Sequence, residues 1–202
     1  MVQTDPHKYV AALTKAWQEL DARDLDDLAE DSGSHISDRT ITLPFFQTTL
    51  SLDVDARKVL ENGKEVDHFS AILTLHYLLG CSELAPTGTV VPFTQASGGS
   101  LYFTAFKKRS IDRLAELFGP SPGTLLKAGS AIGAEPLQKV SAGILIKVFP
   151  KLPVTVIVWE GDQEVPASAN LLFDEVALSI LPTEDLAVVG SLVVSRLKHA
   201  IQ

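Results

Sequence analysis

Residues 95–109, QASGGSLYFTAFKKR, place two glycines, three aromatic side chains and three adjacent cations in one short run. Paired glycines, Gly98 and Gly99, let backbone N–H groups come close to a ligand. Tyr102, Phe103 and Phe106 supply flat apolar area, and Lys107, Lys108 and Arg109 supply donors for a phosphate or carboxylate. The run is not a P-loop, which needs GK followed by Ser or Thr, nor is it GxGxxG. A plainer reading stands beside the ligand cradle: Gly-Gly is a turn, the aromatics point into the core and the cations coat the start of a helix.

The second stretch with chemical content is EGDQEVPASANLLFDE, residues 160–175. Glu160, Asp162 and Glu164 have the chemistry of general acids, of hard-metal ligands or of hydrophilic turn residues. The longer oxygen-ligand run and closing glutamate of a calcium loop are missing. Asp174 follows Leu171, Leu172 and Phe173, which suits a partly buried carboxylate or a strand-end acceptor for backbone N–H groups.

The histidines, His7, His35, His68, His76 and His199, form no i, i+4 pair of the HExxH kind, so a multi-histidine zinc site is not expected. His76 reads as a hydrogen-bonded core residue, and His68, beside Asp67, as the more accessible one. Cys81 is the single cysteine, which rules out an internal disulfide, a cysteine-based zinc site and an iron–sulfur cluster held by this chain alone. With no GxSxG and no local signature of a catalytic thiol, a hydrolase built on such a nucleophile is not expected.

The elements that must position these residues follow from punctuation and periodicity. Asp5-Pro6 suits a helix start, and Tyr9, Leu13, Trp17 and Leu20 repeat at helical spacing, predicting a helix over about residues 6–29. Ile41–Leu43 and Leu50–Val54 alternate like half-buried strands and are expected to pair as a hairpin. After the turn-like ENG at 61–63, Asp67 caps a nearly apolar helix closed by Gly80 in a left-handed conformation. Residues 85–105 read as a loop with short extended pieces at VVPF and SLYFTAF. Helices are expected from Ser110 to Gly119 and from Ser121-Pro122 to about Gly133. Residues 139–160 hold a strand pair, with Ile157 and Trp159 on the face opposite Val154, Val156 and Val158. A last strand near Val176–Leu181 leads to a helix started by Thr183-Glu184-Asp185 and ending in Arg196, Lys198 and His199, in agreement with its dipole. The irregular alternation, without βαβ rhythm, predicts an α+β fold, mostly antiparallel sheet packed with helices.

With 202 residues and 46% hydrophobic content, the chain is expected to form a single compact domain over 1–202. Its apolar runs fall short of the roughly 20 residues that cross a bilayer, and no cationic start precedes an apolar segment, so a cytoplasmic protein without a membrane partner is expected. A formal net charge of -8 and no polybasic stripe argue against nucleic acid. The acidic run ELDARDLDDLAED reads as a solvated helix face, or as a dock for a basic partner.

The succession GTVVPFTQASGGSLYFTAFKKR, LAELFG, LPVTVIVWEGDQEVPASANLLFD and LPTEDLAVVG resembles an uncharacterised domain-of-unknown-function family of anaerobic bacteria and archaea whose members often carry an iron–sulfur label. The likeness runs over roughly residues 65–195. Its recurring elements fall on Gly98, Gly99, Tyr102 and Arg109, on Phe118-Gly119, on Trp159, Gly161 and Asp162, on Phe173-Asp174, and on Leu181-Pro182 with Glu184-Asp185-Leu186. Members with the label tend to carry a separate cysteine-rich segment, whereas here any cluster must belong to a partner.

The family's company in corrinoid and methyl-transfer metabolism implies a cobalamin-type cofactor. The resemblance thus implies a non-enzymatic small-molecule-binding protein of anaerobic metabolism. Gly98, Gly99, Tyr102, Phe103 and Trp159 would form walls, Lys107 and Arg109 would lie near the ligand's polar tail, and Asp162 and Asp174 would belong to the same site. The D-x-H-x-x-G motif of the well-known cobalamin-binding fold is absent, because Asp5-Pro6-His7 keeps D-x-H but Val10 stands where glycine belongs. Two alternatives remain open. One is an enzyme or activation factor of methyl-transfer pathways using Asp162, Asp174 and Arg109; the other is an interaction module that docks an iron–sulfur or corrinoid protein partner.

Overall fold

A computed structural model describes residues 6–138 and 142–202. The fold class is α+β, with two antiparallel sheets and their helices, and the chain's own contacts divide it into two compact units, Met1–Leu84 and Ala85–Gln202. Among the described residues no helix is long and apolar enough to cross a membrane.

The first unit begins with α1 (Pro6–Asp21) and α2 (Leu25–Ser32). The single helix expected over 6–29 is thus two, because Asp24 leaves the helical conformation and its carboxylate accepts the N–H groups of Asp26 and Asp27, starting a new helix. The expected cap at Asp5 lies outside the described residues. A five-stranded meander follows: β1 (His35–Ser37), β2 (Thr40–Phe45), β3 (Thr48–Asp53), β4 (Lys58–Glu61) and β5 (Lys64–Glu65), paired in chain order. The expected hairpin is its centre. Asp38-Arg39 and Asn62-Gly63, all at positive φ, make the tight turns that join β1 to β2 and β4 to β5. Alternation along β2 and β3 buries Ile41, Leu43, Phe45, Leu50 and Leu52.

The unit closes with α3 (His68–Gly80), capped by Asp67, whose carboxylate accepts the Ser70 N–H. Nearly apolar all round, α3 packs against α1 and α2, and the buried Tyr77 hydroxyl donates to the Ser32 carbonyl at the end of α2. Gly80 is the last helical residue rather than a left-handed cap, since Cys81 beyond it is extended.

In the second unit β6 (Val90–Pro92) leads into a 3₁₀ turn at Phe93–Gln95. Next come α4 (Gly99–Arg109), α5 (Ile111–Phe118) and α6 (Gly123–Ala131), then β7 (Glu135–Pro136), β8 (Gly143–Phe149), β9 (Leu152–Trp159) and β10 (Ser168–Asp174), and finally α7 (Ala177–Ile180) and α8 (Thr183–His199). The strands form one antiparallel sheet in the order β6-β10-β9-β8-β7.

Two expectations are corrected here. SLYFTAF is helical rather than extended, because Phe106 stacks flat on Phe93 with ring centroids 4.0 Å apart and this tertiary contact outweighs the strand-like composition. The last strand is β10, and Val176–Leu181 instead turns through α7, an apolar run too short for periodicity to separate strand from helix. Two expected caps also differ. Ser110 makes no cap bond, and Thr183, already inside α8, donates its hydroxyl to the Ser97 carbonyl.

One face of this sheet carries Ile144, Ile146, Val154, Val156, Val158 and Phe173, all buried. Helix α5 packs on β10 and β9 and α6 on β8, where Gly129 lies against Ile144, while α8 packs against α4, α5 and α6. Each fully buried Val or Ile stabilises the unit by about 1.5–3 kcal/mol. A close approach between helices is at Gly190 of α8, where an added Cβ would stand 2.6 Å from Phe106 and 2.7 Å from the Ser110 hydroxyl. Gly190→Ala should therefore lower stability by about 1–3 kcal/mol through overpacking. Urea denaturation reads this directly, and an unchanged midpoint would mean that α8 is not held against α4 at that distance.

Candidate functional site

Helix α4 places the residues of the opening stretch as follows. Gly98 sits in the left-handed region at φ 72°, and a Cβ on Gly99 would come within 2.2 Å of the Phe93 carbonyl oxygen. The glycine pair thus makes the turn into α4, and the Gly99 N–H donates to the Ala96 carbonyl. Of the aromatics, Phe106 is buried, Phe103 half-buried and Tyr102 exposed. Lys107, Lys108 and Arg109 form the last turn of α4, where they complement its dipole, rather than the start of a helix. Lys107 pairs with Asp112, and Arg109 donates through Nε to the Ala105 carbonyl at 3.3 Å.

Trp159, Asp162 and Asp174 fall at two separate places. Ser168 of β10 pairs with Trp159, and Phe173 pairs with Val154, so Asp174 lies about 20 Å along the strand from the Trp159 end. Trp159 is 43% exposed. Asp162 follows it in a tight turn, where its Oδ1 accepts the N–H groups of Glu164 (2.8 Å) and Val165 (2.7 Å). These two donors hold the Asp162 carboxyl below the ordinary carboxylate pKa.

Asp174, only 2% exposed, ends β10. Its Oδ1 accepts from the Val176 N–H (3.1 Å) and the Thr87 N–H (3.2 Å), and its Oδ2 accepts from the Gly88 N–H (2.7 Å). The strand-end reading of this carboxylate holds: three of its roughly four acceptor positions serve backbone donors, and two of these bonds fasten residues 87–88 to the end of the sheet.

That fastening borders a groove of about 550 Å³ on the sheet face away from the helices. Leu145, Pro153, Thr155 and Val90 lie along it, with Lys147 and Asp174 among its polar members. The register explains the grouping. Leu145, Thr155 and Leu172 are cross-strand partners on β8, β9 and β10, while Lys147 faces Pro153 beside a register shift that bends β8. Lys147 Nζ reaches Glu135 Oε1 at 3.2 Å. Of the residues singled out from sequence only Asp174 lines this groove. The signal for the others was present, since every second residue of β8 and β9 opposite the buried valines is Leu145, Lys147, Pro153, Thr155 or Ile157. Among the described residues no group of three His, Cys, Asp or Glu side chains is arranged to hold a metal ion.

Two outcomes follow from the carboxylates. Asp174→Ala leaves three backbone N–H groups without their acceptor and should cost about 3 kcal/mol of stability, measured by denaturant unfolding. A loss under about 1 kcal/mol would mean that water replaces the carboxylate freely. Because the folded pKa of Asp162 lies below its unfolded value of about 3.9, its stabilising contribution is complete above that pH and is lost as pH falls through the folded value. Carbon-detected NMR titration should find Asp162 titrating below free aspartate, and a titration at or above the free value would remove the two N–H bonds from the solution structure.

No curated protein matches this chain, and no solved structure does either. A family model described as a domain of unknown function, DUF3786, matches residues 24–196, so the resemblance to an uncharacterised family holds and the chain belongs to that family.

Proposed function

We propose that this protein is a non-catalytic small-molecule-binding protein whose site is the groove on the open face of the second unit's sheet. The observation that carries the reading is the apolar character of that face. Leu145, Pro153 and Val90 line a concavity of about 550 Å³, in the size range of ligand sites, while α5 and α6 of the same unit pack on the sheet's other face. A face open to solvent ordinarily alternates to polar residues, and an apolar concavity there gains by being covered. The charged groups at its border already have partners within the protein, Asp174 in backbone N–H groups and Lys147 in Glu135. Such an arrangement suits holding a molecule more than transforming one.

The ligand class that the family resemblance implies is a corrinoid of anaerobic metabolism, met in the cytoplasm. An open groove fits one edge or face of a flat macrocycle, with the apolar ring over Leu145 and Pro153 and a phosphate near Lys147. Leu145 and Pro153 would meet the ring, and Lys147 would meet its anionic tail. Hydroxocobalamin titrated into the purified protein should give a saturable change in visible absorption and comigrate with the protein in gel filtration. Leu145→Glu should weaken the binding at least about tenfold by placing a charge in the apolar wall. A colourless protein peak removes the corrinoid, and comigration unaffected by Leu145→Glu moves the ligand out of this groove.

A further inference from the structure

The proposed site has a second property, one that rests on the groove being the place where the ligand binds. Thr155 lies in the middle of β9, lines the groove and is only 5% exposed, and it brings a hydroxyl, donor and acceptor, to an otherwise largely apolar wall. Thr155 is among the residues that line the groove, so a ligand seated there meets its side chain. Lys147 stands diagonally across the ladder, since Thr155 pairs with Leu145 and Lys147 with Pro153, which puts the two backbones roughly 7–8 Å apart. An anionic group between them reaches both the hydroxyl and the ammonium. Asp174, the carboxylate bordering the groove, has its oxygens turned to backbone N–H groups, and the Lys147 ammonium pairs with Glu135 instead.

We infer that the groove selects ligands with an apolar body and one anionic group, with Thr155 and Lys147 as the specificity-determining pair and Glu135 as the resident anion that the ligand displaces. Lys147 and Glu135 are 64% and 65% exposed, so their pairing is weak and easily exchanged. A carboxylate or phosphate that arrives with its own apolar body gains the same cation together with the groove's apolar wall.

The test compares two dyes, anionic 1-anilinonaphthalene-8-sulfonate and neutral Nile red, by fluorescence titration of the full chain. Lys147→Gln and Thr155→Val should each weaken the sulfonate dye about five- to tenfold, and Glu135→Gln should tighten it about threefold. Nile red should stay within about twofold throughout, which a merely structural effect of these substitutions would not allow. Leu145→Glu should weaken both dyes. Displacement of the bound sulfonate by decanoate or by decyl phosphate tells a carboxylate ligand from a phosphate one, and displacement by neither overturns the inference. If Leu145→Glu weakens both dyes but the sulfonate ignores the other three substitutions, anion selection falls and the groove stands. If Leu145→Glu leaves both dyes bound, the groove itself is wrong as the site.

Discussion

Every strand has two faces, and in the second unit the helices take only one of them. Side chains of paired strands alternate between faces, so Ile146, Val154, Val156 and Phe173 point to the helix layer while Leu145, Pro153, Thr155 and Leu172 point the other way. Register cannot slip to relieve the second set, because a shift of one residue would turn the buried valines into water. The apolar open face is therefore a consequence of the same alternation that makes the core. The surface on that side is fixed by packing from behind.

The helix layer depends on close approaches as much as on apolar area. Phe106 lies flat on Phe93 and reaches Phe173 at 6.2 Å, tying the α4 helix to the 3₁₀ turn before it and to the sheet beneath. Gly99 lets the chain turn tightly against the Phe93 carbonyl, and Gly190 admits Phe106 from the other side. The stretch that looked like a ligand cradle is thus divided in its duties. Its glycines and Phe106 belong to packing, and its cations to the end of a helix.

Particular residues show how much of this could be read in advance. Asp67 before an apolar run announced the α3 helix, and the valines of β9 announced a sheet, since cap chemistry and period-two alternation are local signals. The break at Asp24 needed one more look at the same cap chemistry. SLYFTAF misled because its aromatic composition suits a strand, and only the stacking of Phe106 on a residue thirteen positions earlier decides for helix. The site was less readable still. The groove draws one or two residues each from β6, β8, β9 and β10, and no spacing along the chain brings Lys147 beside Thr155 before the register is known. Asp174 was recognisable because it ends an apolar run, but the Thr87 and Gly88 donors lie more than eighty residues away.

The rigidity of the groove bears on what kind of binding it supports. Lys147 and Thr155 sit on paired strands of a sheet backed by helices, so a ligand need not order a loop to meet them, and the entropy cost of binding falls mainly on the ligand. The fastening of residues 87–88 by Asp174 extends the same economy to the rim, where the backbone is held by two charge-assisted hydrogen bonds. What remains adjustable is the exposed pair of Lys147 with Glu135, two long side chains joined by an interaction worth about 1 kcal/mol or less. A stiff apolar wall with one exchangeable ion pair favours affinity through shape and discrimination through charge. Discrimination then depends on the partner that Lys147 gives up, because a ligand without an anion would leave Glu135 in place and gain only the apolar contact.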